Sequence, residues 1–566
     1  MYSIMDHNRT SDKYYNLGPF HRPVSTSSKE TQAWFDRGLV WAYGFNHEEA
    51  IRCFEEAIRH DEQCAMAHWG LALVLGPNYN KPWHVFDDDE RKEAVRRSNR
   101  AVCGAQAASH ASPMEKVLVE AMRCRYPQDS TILNYSLWNQ NYADAMGRVY
   151  QMFRDDLDVV ALYADALMNL TPWELWNIKT GRPAFGSRAL EAKEVLDQAL
   201  SRKDATKHPG LLHLYIHLME MSPVPEKALE AAEHLRILVP DAGHLNHMPT
   251  HIDILCGDYR RAMASNLDAI RADESFLARQ GPVNFYTLYR SHNYHFRIYA
   301  AMFAGQLRVA LETAEHLEDT IPPELLRVQS PPMADWLEAF LSVRIHVLIR
   351  FGRWSDLIQL PLPLDTSLYC VTTATTHYGK AIALAAMGKV REAEHEKTAF
   401  CDSINNIPSS RRLFNNICID LLQIARVMLD GELEYRRGHF KTAFDHLRRA
   451  ISLEDNLPYD EPWGWMQPVR HAYGALLLEQ GHVHAASKAY ATDLGLDTTL
   501  PRAMQHPNNV WALHGYRECL LRLGRQAEAQ ILHQQLKLAA ATADVDIASS
   551  CFCRLGSGPE KQKCSM

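Results

Sequence analysis

Small and aromatic residues recur at fixed intervals along most of this chain, and that rhythm limits the fold more than any other feature. It begins as Trp34, Gly38, Trp41, then Ala50, Phe54, Ala57. Within each trio the steps of four and three put the residues on one helix face. The gap between trios leaves room for a turn. The rhythm returns as Gly431, Gly438, Phe440, Ala443, Leu447, Ala450, and again as Gly474, Gly481, Ala486, Tyr490. Weaker copies centre on Gly257/Ala262, Gly305/Ala310, Gly352, Gly388/Ala393 and Gly524/Ala529. Each unit reads as two antiparallel helices, where small residues let the backbones approach and aromatics fill the space between them. Val, Ile and Thr rarely alternate with polar residues, so strands are not expected.

One such unit cannot bury its own apolar face, so neighbouring units must stack. The expected fold is all-α, a right-handed α-solenoid of the tetratricopeptide type, curled around a concave central groove. Residues 1–30 read as a leader that packs on the first helices or stays loose. Residues 31–540 read as one continuous solenoid, with an irregular helical insertion over 80–160 and a histidine-rich centre over 200–300. The Pro-rich stretches at 321–332 and 360–365 read as loops, and 541–566, rich in Ser, Gly and Lys, as a disordered tail.

Composition removes several function classes. A net charge of −8 repels nucleic acid and anionic membranes. No apolar run reaches the roughly 18 residues that a membrane span needs. The segment MYSIMDHNRTSDKYYN has no apolar core of the secretory kind. Twelve cysteines without a pairing rhythm point to a reducing, cytoplasmic setting. Neither a phosphate-binding glycine loop nor a nucleophile elbow is present, so no nucleotide cofactor is expected.

Nine of the 28 histidines fall between His208 and His295. His213, His217 and Glu220 share a helix face, and His247 and His251 repeat the step of four, each 34 residues after its counterpart. In tetratricopeptide arrays, positions 2, 5, 9 and 12 of each first helix line the groove. With Ala228, Ala262 and Ala310 at position 20, those places hold His213, His217, Glu220, His244, His247, His251, His292 and His295. Neighbouring first helices lie about 8–10 Å apart, so imidazoles from two of them can share an ion at about 2.0–2.1 Å per nitrogen. Pro249 starts or kinks a helix between His247 and His251, which sets His244 and His247 on the entering turn. Isolated histidines such as His60, His110, His234 and His482 need only packing or solvent roles. A polar groove for a peptide or carboxylate is the plain alternative for the cluster.

Several stretches, FNHEEAIRCFEEAIRHDEQCAMAHWGLALVLGPNYN, PWELW, HPGLLHLYIHLME, PDAGHLNHMPTHI, YRSHNYHF, YDEPWGWMQPVRHAYGALLLEQG and HPNNVWALHGYRECL, resemble a group of tetratricopeptide proteins. That group includes the proteins called tetratricopeptide repeat protein 38. The resemblance covers roughly 31–535 and implies the solenoid fold; it supplies function only weakly.

The ligands expected for one or two transition ions (Fe, Cu or Zn) are His213, His217, His247, His251 and His295. Glu220, His292 and His47 are the expected catalytic groups, with Glu220 able to bridge, act as base, or orient an imidazole. Asn78, Asn80, Trp173, Glu461 and Arg470 are expected to bind substrate, and Trp176 to reach the same groove. Each also has a local reading: turn caps for the asparagines, core for Trp173, an ion pair for Glu461 with Arg470. The resulting expectation is a metal-dependent enzyme, redox or hydrolytic, acting on a small organic substrate. The alternative is a non-catalytic scaffold that binds a peptide or partner protein in the groove.

Overall fold

The computed structural model describes residues 14–126 and 134–554. Helices follow one another in antiparallel pairs: Lys29–Tyr43 with His47–His60, Ala65–Leu75 with Asp88–Ala107, and Pro113–Arg125 with Tyr135–Met152. The pairing continues through Tyr259–Gln280, Tyr286–Phe303 and Leu307–Asp319 to Val510–Arg522 with Gln526–Ala539. The only strands among the described residues are two short hairpins, Trp176–Asn177 with Arg182–Pro183 and Arg412–Leu413 with Asn416–Ile417. This is the all-α, tetratricopeptide-like solenoid that the rhythm implies. No described helix is long and apolar enough to cross a membrane.

The rhythm works by interlocking rings with glycines. A methyl group on Gly38 would lie 2.9 Å from the Phe54 ring, and one on Gly70 only 2.3 Å from it. Phe54 is therefore clamped between two helices that its bulk could not otherwise enter. Tyr490 repeats the arrangement, 2.4 Å from a methyl group placed on Gly474 and 2.3 Å from one on Gly515.

Two expectations about layout are corrected, and the concave groove is found closed. Residues 80–160 are not an irregular insertion: after a loop at 76–87, their helices pair with chain neighbours like the others. The groove is not open. Asn16 and Asp241 exchange backbone and side-chain hydrogen bonds, and Glu48 accepts from the Phe285 amide at 3.0 Å. The Trp511 indole donates to the Met302 carbonyl at 2.7 Å, and Lys179 to Asn456 at 2.6 Å. The coil thus closes on itself, and every residue of the Pro209–Glu220 helix is buried. Finally, 541–554 is placed rather than loose. Asp544 accepts from the Leu307 and Arg308 amides (2.6 and 2.9 Å), capping that helix, while Ser549, Ser550 and Phe552 are buried. Cys551 and Cys553 are bonded to each other. The rest of the expected tail, 555–566, and the first thirteen residues of the leader lie outside the described residues.

The ring-in-glycine clamp has a direct consequence. Gly70→Ala is expected to cost about 1–3 kcal/mol through overpacking, read as a lowered thermal midpoint by circular dichroism; an unchanged midpoint would show that the clamp has slack.

Candidate functional site

Three inner helices deliver the histidines. His213, His217 and Glu220 come from Pro209–Glu220, which His208 caps by accepting from the Leu211 amide at 3.2 Å. His244 and His247 sit on Gly243–His247 and His251 on Pro249–Cys256. Met248 between them is itself right-handed helical, and Pro249 occupies a first-turn place where no amide hydrogen is missed. His244 and His247 are therefore helical and not merely on an entering turn. His292 comes from Tyr286–Phe303. All of these side chains are buried.

Four of the imidazoles are held by one nitrogen. His213 Nδ1 meets the Tyr43 carbonyl at 2.5 Å, and His247 Nδ1 meets Asn266 Oδ1 at 2.7 Å. Asn266 donates its amide to Ala262, which leaves only its oxygen for His247. His217 Nδ1 and His251 Nδ1 reach the two oxygens of Glu220, at 3.0 and 2.7 Å. The Tyr43 carbonyl and the Asn266 oxygen are acceptors, so Nδ1 of His213 and of His247 carries the hydrogen and Nε2 of each carries a lone pair. His247 Nε2 and His251 Nε2 face each other across 2.7 Å, within hydrogen-bonding distance. His213 Nε2, His217 Nε2, both nitrogens of His244 and Nδ1 of His292 have no protein partner. At about 1–3 kcal/mol for each unsatisfied buried atom, five of them cost on the order of 5–15 kcal/mol, as much as the whole net stability of a typical domain.

The ligand-capable atoms gather into three groups, each spanning no more than 4.8 Å: His213, His217, His244; His247, His251, His292; and His217, Glu220, His251. The third joins the other two. Burial pushes His213 and His251 down to about 3. Burial, then neighbouring imidazoles, holds His217, His244, His247 and His292 well below the usual histidine range. The neutral form that results is the form that binds metal. Glu461 enters from the 455–468 loop, touching His251 through Oε2 and taking the Tyr459 hydroxyl on Oε1. Burial, then Glu461, raises Glu220 well above the usual carboxylate range, and burial raises Glu461 to about 8. Two carboxyls this close resist carrying two charges without a cation nearby.

The remaining expectations divide. Glu461 joins the cluster through His251, and it is not paired with Arg470. Arg470 faces away and binds Asp455 through two bonds of 2.7 Å. Asn78 folds back to accept from the Asn80 and Lys81 amides, a turn cap. Asn80 lies beside the Tyr289 hydroxyl, whose ring packs on His244 with centroids 4.6 Å apart. His47 sits in a separate small cavity with Asn78 and Asp165; burial, then Arg125, brings it down to about 3. It joins none of the three groups. His295 packs against Phe340 and Phe414 at 5.5 and 6.4 Å and also stands outside them. His244, left out of the expected ligands although its register position is visible, gathers with His213 and His217. Trp173 packs on Tyr79 and His217, with centroids 5.4 and 6.1 Å away, and the Trp176 indole donates to the Leu218 carbonyl at 2.7 Å. Asn266, the Tyr43 carbonyl and Tyr459 carried no signal, since nothing in a repeat register marks what stands behind an imidazole.

No family model and no curated protein matches the chain. Among solved structures it is similar to one titled "Structure of Naa15/Naa10 bound to HypK-THB", at 12% identity over 90% of this chain and 70% of that one, with a TM-score of 0.21. It is also similar to one titled "Crystal structure of APC/C hetero-tetramer Cut9-Hcn1", at 12% identity over 91% and 94%, with a TM-score of 0.27. Likeness at these scores bears on neither partner nor activity.

The place of Arg470 can be checked directly. Arg470→Ala is expected to cost about 1.5–3 kcal/mol, the worth of hydrogen bonds to a charged group, and Asp455→Ala a similar amount. The double variant should cost little more than either single one. Additive losses, read in thermal melts, would place the two residues in separate interactions.

Proposed function

We propose that this chain is a metal-dependent enzyme whose closed interior holds two first-row transition ions. His213, His217 and His244 would hold one, and His247, His251 and His292 the other. The observation that carries this reading is that these two groups, each spanning no more than 4.8 Å, hold between them five buried imidazole nitrogens with no protein partner. A cation in each group would complete them, and burial keeps the imidazoles uncharged.

Bound Fe, Cu or Zn would supply Lewis acidity or, for Fe and Cu, a redox couple. The chain's own part is orientation. Glu220 holds one imidazole of each group and so fixes their separation; it acts here as a positioning residue rather than as a base. Asn266 and the Tyr43 carbonyl do the same for His247 and His213. Glu461 and Tyr459 stand where a small organic substrate would meet the cluster from outside.

The scaffold reading keeps the support of the helix-pair architecture. In it the buried histidines have no role, and the positions that would line a peptide groove are enclosed. The resemblance to the tetratricopeptide repeat protein 38 group is compatible with either reading.

Elemental analysis of untagged protein should find about two equivalents of transition metal, one per three-histidine group. His244→Ala and His292→Ala should each lose one. Asn266→Ala should weaken binding about 10–100-fold by freeing the ring behind the ligand. Protein that stays metal-free after incubation with Fe(II), Cu(II) and Zn(II) would overturn the metal reading and leave the scaffold.

A further inference from the structure

A cavity of about 530 Å3 opens at the surface directly outside the histidine cluster. Its size is that of a site for a small organic ligand, within the range of about 300–1,000 Å3. Three of its lining residues form a floor over the cluster. Trp173 packs on His217, Met221 follows Glu220 in sequence, and Tyr459 bonds Glu461. Tyr79 lies inside that floor, donating to the Met221 sulfur at 3.9 Å and packing on both Trp173 and His217. Between the cavity and the cluster thus stand Trp173, Tyr79, Met221 and Tyr459, all uncharged and flat or polarizable.

Trp173 is held at φ 62°, a left-handed backbone that a bulky side chain rarely adopts. Such conformations persist where the surroundings impose them and concentrate at ligand clamps and switches. The charged side chains at the rim, Lys179 and Glu174, are of opposite sign and cancel. Partial burial, then Arg412, favours the uncharged form of His84 beside them. The lining thus offers aromatic and thioether faces and no net charge. In the lining itself, the Asn177 and Asn415 amides add hydrogen-bonding groups.

From this arrangement we infer that the cavity binds a neutral planar aromatic molecule bearing a hydroxyl group, with Trp173 as the gate between cavity and cluster. The ring stacks on Trp173 and Tyr459 and the hydroxyl meets the Asn177 and Asn415 amides of the lining. That this ligand is a substrate rests on the metal-centre reading; that it binds does not.

The test is calorimetric titration of the full-length protein, metal-loaded and chelator-stripped, with 2-naphthol as the probe. Saturated decahydro-2-naphthol and charged 2-naphthoate serve as comparators. Binding of 2-naphthol at least tenfold tighter than either comparator is expected in both forms. Trp173→Ala should weaken it at least tenfold, and Trp173→Phe should largely restore it, with helicity and metal content unchanged in both variants. Equal binding of the saturated analogue, preference for the carboxylate, or indifference to Trp173→Ala would overturn the inference. The stripped arm separates the two readings: naphthol binding without metal uptake leaves the cavity and removes the metal centre, and the converse removes the cavity's ligand alone.

Discussion

The interior of this protein is governed by six buried, uncharged imidazoles packed against one another. His247 and His251 are held through Nδ1 by Asn266 on one side and Glu220 on the other, and their Nε2 atoms lie 2.7 Å apart. Around them, His213, His217, His244 and His292 add further neutral nitrogens without protein partners. A chain gains nothing from so many unmet acceptors unless a cation completes them, because each one left bare costs about 1–3 kcal/mol. The metal-centre reading follows from that imbalance and needs no analogy with any other protein.

The solenoid makes such an interior affordable in structural terms only because it closes. An open array would leave the first-helix positions in solvent, where imidazoles hydrogen-bond to water and titrate normally. Here contacts between residues more than two hundred apart, such as Asn16 with Asp241 and Met302 with Trp511, turn the concave face into a core. The aromatic–glycine clamps of Phe54 and Tyr490 set the close helix spacing that this curl uses. Loops then finish the enclosure, with Trp173 from one side and Tyr459 and Glu461 from the other meeting above Glu220.

How much of this was legible in the sequence divides along the range of the interaction. The clamp was legible, because a small residue and a ring at fixed spacing leave few other fates. The alignment of His213, His217 and Glu220 with His247 and His251 was legible for the same reason, since helix pitch alone sets it. What depends on closure was not. Nothing local distinguishes an open groove from a sealed one, so the pairing of Arg470 with Asp455 and the packing of His295 against Phe340 and Phe414, outside the three histidine groups, are not legible. His47, the first residue of the His47–His60 helix, falls into a neighbouring cavity. The 541–554 segment was misjudged by composition, because its small polar residues are used in the interior, with Asp544 capping a helix far away in sequence.

The most direct measurement is anomalous diffraction from crystals of the untagged protein, collected across the Fe, Cu and Zn absorption edges. Two peaks are expected, one among His213, His217 and His244 and one among His247, His251 and His292, with Glu220 between them. Crystals soaked with each metal that show no peak at either place would contradict a metal centre in this fold.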